Sequence, residues 1–251
     1  MTQSADRWSF DEKRYAPVHA RQGGSTIIRR IWASVYGPDY PADLEPLGFS
    51  TTAELERLAA LVAIDPGGRL IDLGCGRGGP GLWIARRTNA SLTGIDVVRE
   101  AVEQAERRKA ALWPDATFHV ASVSKMAFET SWFDAAVSVD ALWMVLDKPA
   151  ALKEISRILK PGRRFAFTTW EPEYLDHHRL LEQAGFQVIL REEPVGWRDR
   201  QLTVYERIRA EERALRQELG DHAASVLLAE ANAVPDLLDE QTRLLMAAEN
   251  S

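Results

Sequence analysis

The chain has 251 residues, 45% of them hydrophobic and 27% charged, which is room for one large α/β domain with additions and too little for two ordinary domains and a linker. A formal net charge of −6, with no long Lys/Arg block, points away from nucleic acid and toward a small-molecule partner. The single cysteine, Cys75, excludes an intramolecular disulfide and a Cys/His zinc cluster, while the polar N-terminus and the lack of any long apolar run predict a cytoplasmic protein without membrane insertion.

The first 50 residues are aromatic-rich and irregular, with Trp8, Phe10, Tyr15, Trp32, Tyr36, Tyr40 and Phe49 among glycines and prolines; within them residues 25–35 read as a helix. From there short apolar runs alternate with amphipathic stretches, the pattern of a parallel sheet covered by helices. Helices are predicted at 52–63, 79–88, 99–111, 149–159 and 176–184. Strands are predicted at 69–73, 91–96, 117–121, 133–139, 164–169 and 186–191. The Lys160-Pro161-Gly162 sequence reads as a helix stop, combining a terminal cation with breakers. Residues 200–240 read as a helical pair broken near Gly220 and Pro235, and 242–247 as a seventh strand.

The strongest local signal is Arg69-Leu-Ile-Asp-Leu-Gly-Cys-Gly-Arg-Gly-Gly-Pro-Gly81, a strand running through glycines into a helix. Glycines there admit a ligand close to the backbone, and the spacing Gly74-x-Gly76-x-x-Gly79 also fits a dinucleotide fingerprint. Asp72 weighs against a nicotinamide enzyme, because its charge on the loop side of the strand opposes a pyrophosphate and attracts an ammonium group. Asp96, twenty positions after Gly76 and at a strand end, suits the hydroxyls of a ribose.

At these residues the chain resembles the class I S-adenosylmethionine-dependent methyltransferases, and within them the bacterial small-molecule group related to the ubiquinone and menaquinone methyltransferases. Asp72-Leu-Gly-Cys-Gly-Arg-Gly78 is similar to the family's first motif and Gly94-Ile-Asp96 to its second. Phe133-Asp-Ala-Ala-Val-Ser-Val-Asp140 resembles its fourth-strand motif, and Leu159-Lys-Pro-Gly-Arg-Arg-Phe-Ala-Phe167 the approach to strand five. The resemblance implies a Rossmann-like α/β sheet of seven strands, mostly parallel, with the last strand antiparallel between the fifth and sixth, helices on both faces and a helical cover. It divides the chain into an N-terminal substrate cover (1–50), a cofactor-binding core (51–199), a helical insertion over the active site (200–241) and a last core strand (242–251).

The same resemblance implies S-adenosyl-L-methionine as cofactor and S-adenosyl-L-homocysteine as product. Asp72 would lie near the amino group, with Gly74, Cys75 and Gly76 along the methionine and ribose. Asp96 and Val97 would bracket ribose and adenine, and Ser138 and Val139 would meet the methionyl part. Ser122 and Val123 take the place where the family usually has an adenine-binding aspartate. The implied activity is methyl transfer (EC 2.1.1.-) to the O, N or C atom of a small molecule, in secondary metabolism, by a monomer or homodimer. The alternative is a methyltransferase-fold protein that binds the cofactor and catalyses another reaction, such as cyclisation.

For an in-line displacement the protein chiefly aligns the reactants. Candidate bases are Asp140, at the end of strand four, and His177 or His178, of which His178 is favoured; a solvent-facing helix turn capped by Asp176 is the competing reading of the two histidines. Trp143, Trp170 and Trp197 follow strands four, five and six at the ligand edge of the sheet. With Tyr36 and Tyr40 they are the candidate substrate-binding residues, against core packing or a surface contact. His19, His119 and His222 read as ordinary residues.

Overall fold

The computed structural model describes residues 12–42, 44 and 48–251; Trp8 and Phe10 lie outside them. Ten α-helices and seven strands follow in chain order among these residues: α1 (Glu12–Gln22), α2 (Thr26–Tyr36), α3 (Thr52–Leu61), β1 (Arg69–Leu73), α4 (Gly79–Thr88), β2 (Ser91–Asp96), α5 (Arg99–Leu112), β3 (Ala116–Val120), β4 (Phe133–Val139), α6 (Lys148–Ile158), β5 (Leu159–Pro172), α7 (His177–Gln183), β6 (Phe186–Glu192), α8 (Trp197–Ala210), α9 (Glu212–Leu219), α10 (Asp221–Ala233) and β7 (Gln241–Asn250). The sheet order is β3-β2-β1-β4-β5-β7-β6, with β7 antiparallel to both neighbours, as the sequence resemblance implies.

Strands buried on both faces must be apolar throughout, and alternate residues of β1 divide between two cores. Leu70 packs with Leu58 of α3, Leu82 of α4 and Val102 of α5. Ile71 packs on the opposite face with Leu152 and Ile155 of α6 and with Phe165 and Phe167 of β5. The crossover helices thus close both faces, and β1 lies in the middle with its C-terminal end free to feed the glycine loop.

α6 stops just before Lys160-Pro161-Gly162 as expected, but these residues already belong to β5, where they form a bulge. The β4–β5 register passes from Phe133↔Leu159 to Ala135↔Arg164, so the breakers loop out while pairing resumes on either side. The 3.6-residue pattern of α6 ends where expected; the long antiparallel ladder with β7, from Arg164↔Glu249 to Pro172↔Gln241, carries the strand beyond its apolar run.

Two further departures concern the cover. Among the described residues the N-terminal stretch contains a helix ahead of the expected one, α1, despite Pro17 inside it. Residues 197–233 form three helices rather than two, with an extra break at Glu211. α2 joins this group at its N-terminus, where Ser25 caps Ile28 N–H at 3.1 Å and the Glu218 carboxylate of α9 accepts from Thr26 N–H at 2.9 Å and from the Ser25 hydroxyl. A carboxylate at the positive end of a helix is favoured by the unpaired amides there. Val18, Ile31, Val204, Leu215 and Leu227 fill the interior between these helices.

A buried ionic cluster fastens the cover to the sheet. Arg243 of β7, fully buried, donates to Glu54 at 3.0 Å, to Ser50 at 2.9 Å and to Asp140 at 2.9 Å. Glu54 also completes a capping box with Thr51 at the start of α3. Removing one partner of such a group leaves buried charges uncompensated, so Arg243→Leu is expected to cost about 3–5 kcal/mol. Denaturant titration checks this: the triple variant carrying Glu54→Gln and Asp140→Asn as well should recover most of the loss, and a single-variant loss below about 1 kcal/mol would contradict the role assigned to the cluster.

Candidate active site

β1 ends at Leu73, and the chain then turns over the end of β2. Gly74 N–H and Cys75 N–H both donate to Ile95 C=O at 2.9 Å, and Gly76 N–H donates to the Asp96 carboxylate at 2.8 Å. Gly74 has φ 74°, a conformation that side chains disfavour, and a Cβ there would run into the methyl of Ala141. The loop therefore presses against the end of β4 and leaves its outer side open to a cavity of about 650 Å³.

Asp72, Gly74, Cys75, Gly76 and Asp96 line one end of this cavity, with Val139 at its wall. Asp72 is 1% exposed, and among the described residues neither of its carboxylate oxygens has a hydrogen-bond partner. Burial, reinforced by the charge of Asp96, pushes its proton affinity up to about 7, against a smaller opposing effect of the Gly81 amide. A Cβ on Gly81 would overlap the Asp72 carboxylate, so the first turn of α4 has to be bare for the acid to fit. The Cys75 thiol is buried and pushed well up by desolvation, which makes it an inert part of the wall rather than a nucleophile.

A buried carboxylate without a partner costs several kcal/mol when ionised and is relieved by a ligand that brings a cation. S-adenosylmethionine brings an ammonium group, a sulfonium and ribose hydroxyls, with no phosphate to repel Asp72 and Asp96. The residues present fit that group.

The remaining expected cofactor residues sit outside the cavity lining. Val97 is half-buried at the approach to α5. Ser138 is buried and donates to Leu73 C=O at 2.8 Å, where it ties β4 to β1. Val123 packs into the core beside Ile71 and Met126. Ser122 is exposed, and its hydroxyl accepts from Ser124 N–H at 3.3 Å in a tight turn.

Both expected bases are otherwise employed. Asp140 reaches the cavity wall, but its Oδ1 accepts from Thr168 at 2.7 Å and from Arg243, and its Oδ2 accepts from Phe49 N–H at 2.7 Å and Ser50 at 3.1 Å. It also holds φ 54°, a strained conformation for a non-glycine residue that these bonds maintain. His178 does not line the cavity; it is half-exposed on α7 and faces Glu182 at 3.3 Å, the i,i+4 neighbour on a solvated helix face. His177 is fully buried against Glu171, whose carboxyl burial would raise but the bonds from His177 and Arg191 hold at about 2.

Of the five expected substrate residues, Trp143 and Trp170 line the cavity, and their rings meet edge to face at 5.8 Å. Tyr36 and Tyr40 pack in and against the helical cover. Trp197 is buried in the same core with its indole N–H on Glu193 at 2.7 Å. None of these three lines the cavity.

Several lining residues carry no motif. His19 and Gln22 of α1 reach across to the glycine loop, joined to each other at 2.9 Å; burial and the Arg77 charge bring His19 down to about 4, so its imidazole is neutral. Trp32, Phe49 and Tyr205 wall the far end with Glu230, which accepts from Tyr15 at 3.1 Å and Tyr205 at 3.0 Å. The period-3.6 pattern of residues 200–233 marks these helices but does not say which face turns to a ligand.

Residues 70–162 match the family described as a methyltransferase domain, and the seven-stranded sheet has the Rossmann-like methyltransferase fold. The chain is 31% identical to the 27-O-demethylrifamycin SV methyltransferase of Amycolatopsis mediterranei over 56% of its own length and 53% of that protein's. It spans about half the length of the curated relatives it matches. In fold it is similar to the [4+2]-cyclase SpnF, with a TM-score of 0.68, 21% identity and coverage of 89% and 92% of the two chains. It is also similar to Haemonchus contortus phosphoethanolamine N-methyltransferase 2 in complex with S-adenosyl-L-methionine, with a TM-score of 0.69, 19% identity and coverage of 88% and 56%.

The shifted acid at Asp72 has a measurable consequence. Between its ordinary value of 3.8 and its folded value of about 7, the native protein holds a proton that the unfolded chain has released, so this residue makes stability fall as pH rises through that window. Asp72→Asn removes the fall: in thermal unfolding without ligand the variant should gain on the parent at pH 8 and much less at pH 5. An equal effect at both pH values would show that Asp72 titrates normally.

Proposed function

We propose that the protein transfers the methyl group of S-adenosyl-L-methionine to a small-molecule acceptor, in secondary metabolism, as a cytoplasmic monomer or homodimer. The observation that carries this reading is the unpartnered Asp72 carboxylate beneath the glycine loop, on a core matching methyltransferase domains. A relative named as a methyltransferase of 27-O-demethylrifamycin SV supports it.

In this reading Asp72 holds the cofactor's ammonium group, and Asp96, anchored through Gly76 and Val98 amides at 2.8 and 2.9 Å, receives ribose hydroxyls. His19 and Gln22 close the loop from above. When bound, the cofactor supplies an electrophilic methyl on its sulfonium. The chain's own contribution is alignment and exclusion of water, which in well-oriented systems reaches about 7–11 kcal/mol of barrier. Helices α1, α2 and α8–α10 serve as the acceptor cover. Asp140 acts through structure, keeping the turn after β4 in place.

A second reading has one observation in its favour. The fold likeness to a cyclase accords with a cavity whose wall carries Asp140 already paired with Arg243 and from which His178 is absent, as a cyclisation would allow. Release of S-adenosylhomocysteine when an acceptor is added separates transfer from cyclisation.

Calorimetry tests the cofactor site. S-adenosylmethionine and S-adenosylhomocysteine are expected to bind with micromolar affinity, NAD not at all, and Asp96→Ala to weaken both sulfur ligands at least tenfold. Binding of NAD alone, or of none of the three, would remove the methyltransferase reading.

A further inference from the structure

The cavity continues past the glycine loop into a chamber under the helical cover, and its wall there is chemically one-sided. Trp32, Phe49, Trp143, Trp170 and Tyr205 supply rings to it, arranged mostly edge to face: Phe49 meets Trp170 at 5.8 Å and Tyr205 at 5.6 Å. Ile208, Leu227, Val234 and Leu237 complete the wall. Polar wall groups are largely turned on each other. Gln201 accepts from the Trp170 indole at 3.1 Å and donates to the Tyr205 hydroxyl at 3.1 Å.

Charge complementarity narrows the ligand further. An anionic acceptor needs cationic donors within reach, and among the described residues the cations near the chamber are committed elsewhere: Arg77 and Arg108, at the glycine-loop end, donate to Gln104 and to the carbonyls of Arg77 and Leu44. Arg243 is shared by Glu54 and Asp140, Arg200 pairs with Glu54 at 3.5 Å, and Lys148 donates to the carbonyls of Trp143 and Val145 at 3.0 and 2.8 Å, with burial lowering its proton affinity. Glu230 lines the wall and repels an anion. A cationic acceptor is disfavoured as well, because the guanidinium of Arg243 already lies 5.4 Å from the Trp170 ring centroid, holding a positive charge beside the aromatic face that would otherwise receive an ammonium.

The mouth agrees with this. Leu146 and Tyr174 line the cavity, yet they are 81% and 80% exposed. Apolar side chains left in water at an entrance suit a ligand that covers them on entry.

On the methyltransferase reading, we propose that the acceptor is a neutral, predominantly apolar, ring-bearing molecule whose one hydrogen-bonding group meets the Tyr15–Glu230–Tyr205 cluster. Phosphorylated, carboxylated and ammonium-bearing acceptors are rejected by the chamber.

A matched ring series tests it on the protein saturated with S-adenosylhomocysteine, whose binding is measured first. Quenching of tryptophan fluorescence should report 2-naphthol binding at least tenfold more tightly than 2-naphthyl phosphate, 2-naphthoate or 2-naphthylmethylammonium. Leu227→Trp, which fills the chamber, should abolish naphthol binding while leaving S-adenosylhomocysteine affinity within twofold; Leu237→Trp, on a less tightly packed turn, serves the same purpose if the first variant does not fold. Preference for any charged probe, binding of none of the four, or naphthol binding unchanged in a folded chamber-filling variant overturns the acceptor class. Failure to bind S-adenosylhomocysteine at the outset instead removes the reading on which it rests.

Discussion

The guanidinium of Arg243, shared between Glu54 and Asp140 with no exposure to water, is the interaction on which the cavity depends. It draws together three pieces of chain far apart in sequence: the start of α3, the turn after β4, and the strand that closes the sheet near the C-terminus. Phe49 and Ser50 bond to the same Asp140 oxygen, so the aromatic wall inherits its position from this cluster. Two carboxylates around one arginine are stable in a dry interior only when their other lone pairs are occupied, and Thr168, Ser50 and the Thr51 amide do that here, while the Arg243 Nε–H has no partner among the described residues.

Asp72 is the opposite case in the same molecule. It is as deeply buried, but no described residue supplies it with a cation, and the cost of ionising it in that place remains until something enters the cavity. Buried acids with raised proton affinity and an open side are characteristic of sites that await a ligand. The two clusters thus divide the cavity between a permanently neutralised floor under the aromatic chamber and a charge-seeking end under the glycine loop.

The sheet was legible because its signals are local. A buried parallel strand is a short apolar run, and β1, α4, β2 and β4 begin and end at the residues predicted for them. The β5 bulge was hidden because Lys160-Pro161-Gly162 reads as a helix stop whether or not the ladder resumes beyond it. At the site, Asp72, Gly74, Gly76 and Asp96 lie on one short stretch and its neighbouring strand, where spacing alone brings them together. His19, Phe49, Tyr205 and Glu230 meet only through tertiary packing of five helices, and no spacing in the chain announces that. Asp140 illustrates the limit differently: its place at the strand end was readable, whereas its partner Arg243 lies 103 positions away and converts a candidate base into a structural anion.

On the proposed reading, Asp72 is a buried acid held in reserve for the cofactor's ammonium group. Carbon-13 NMR of the aspartate carboxyls, with Asp72→Asn to assign the signal, measures its ionisation directly. A midpoint near 7 is expected in the free protein, falling well below that when S-adenosylhomocysteine saturates the site. An ordinary midpoint near 4 in the free protein, or one that stays near 7 with the ligand bound, would contradict it.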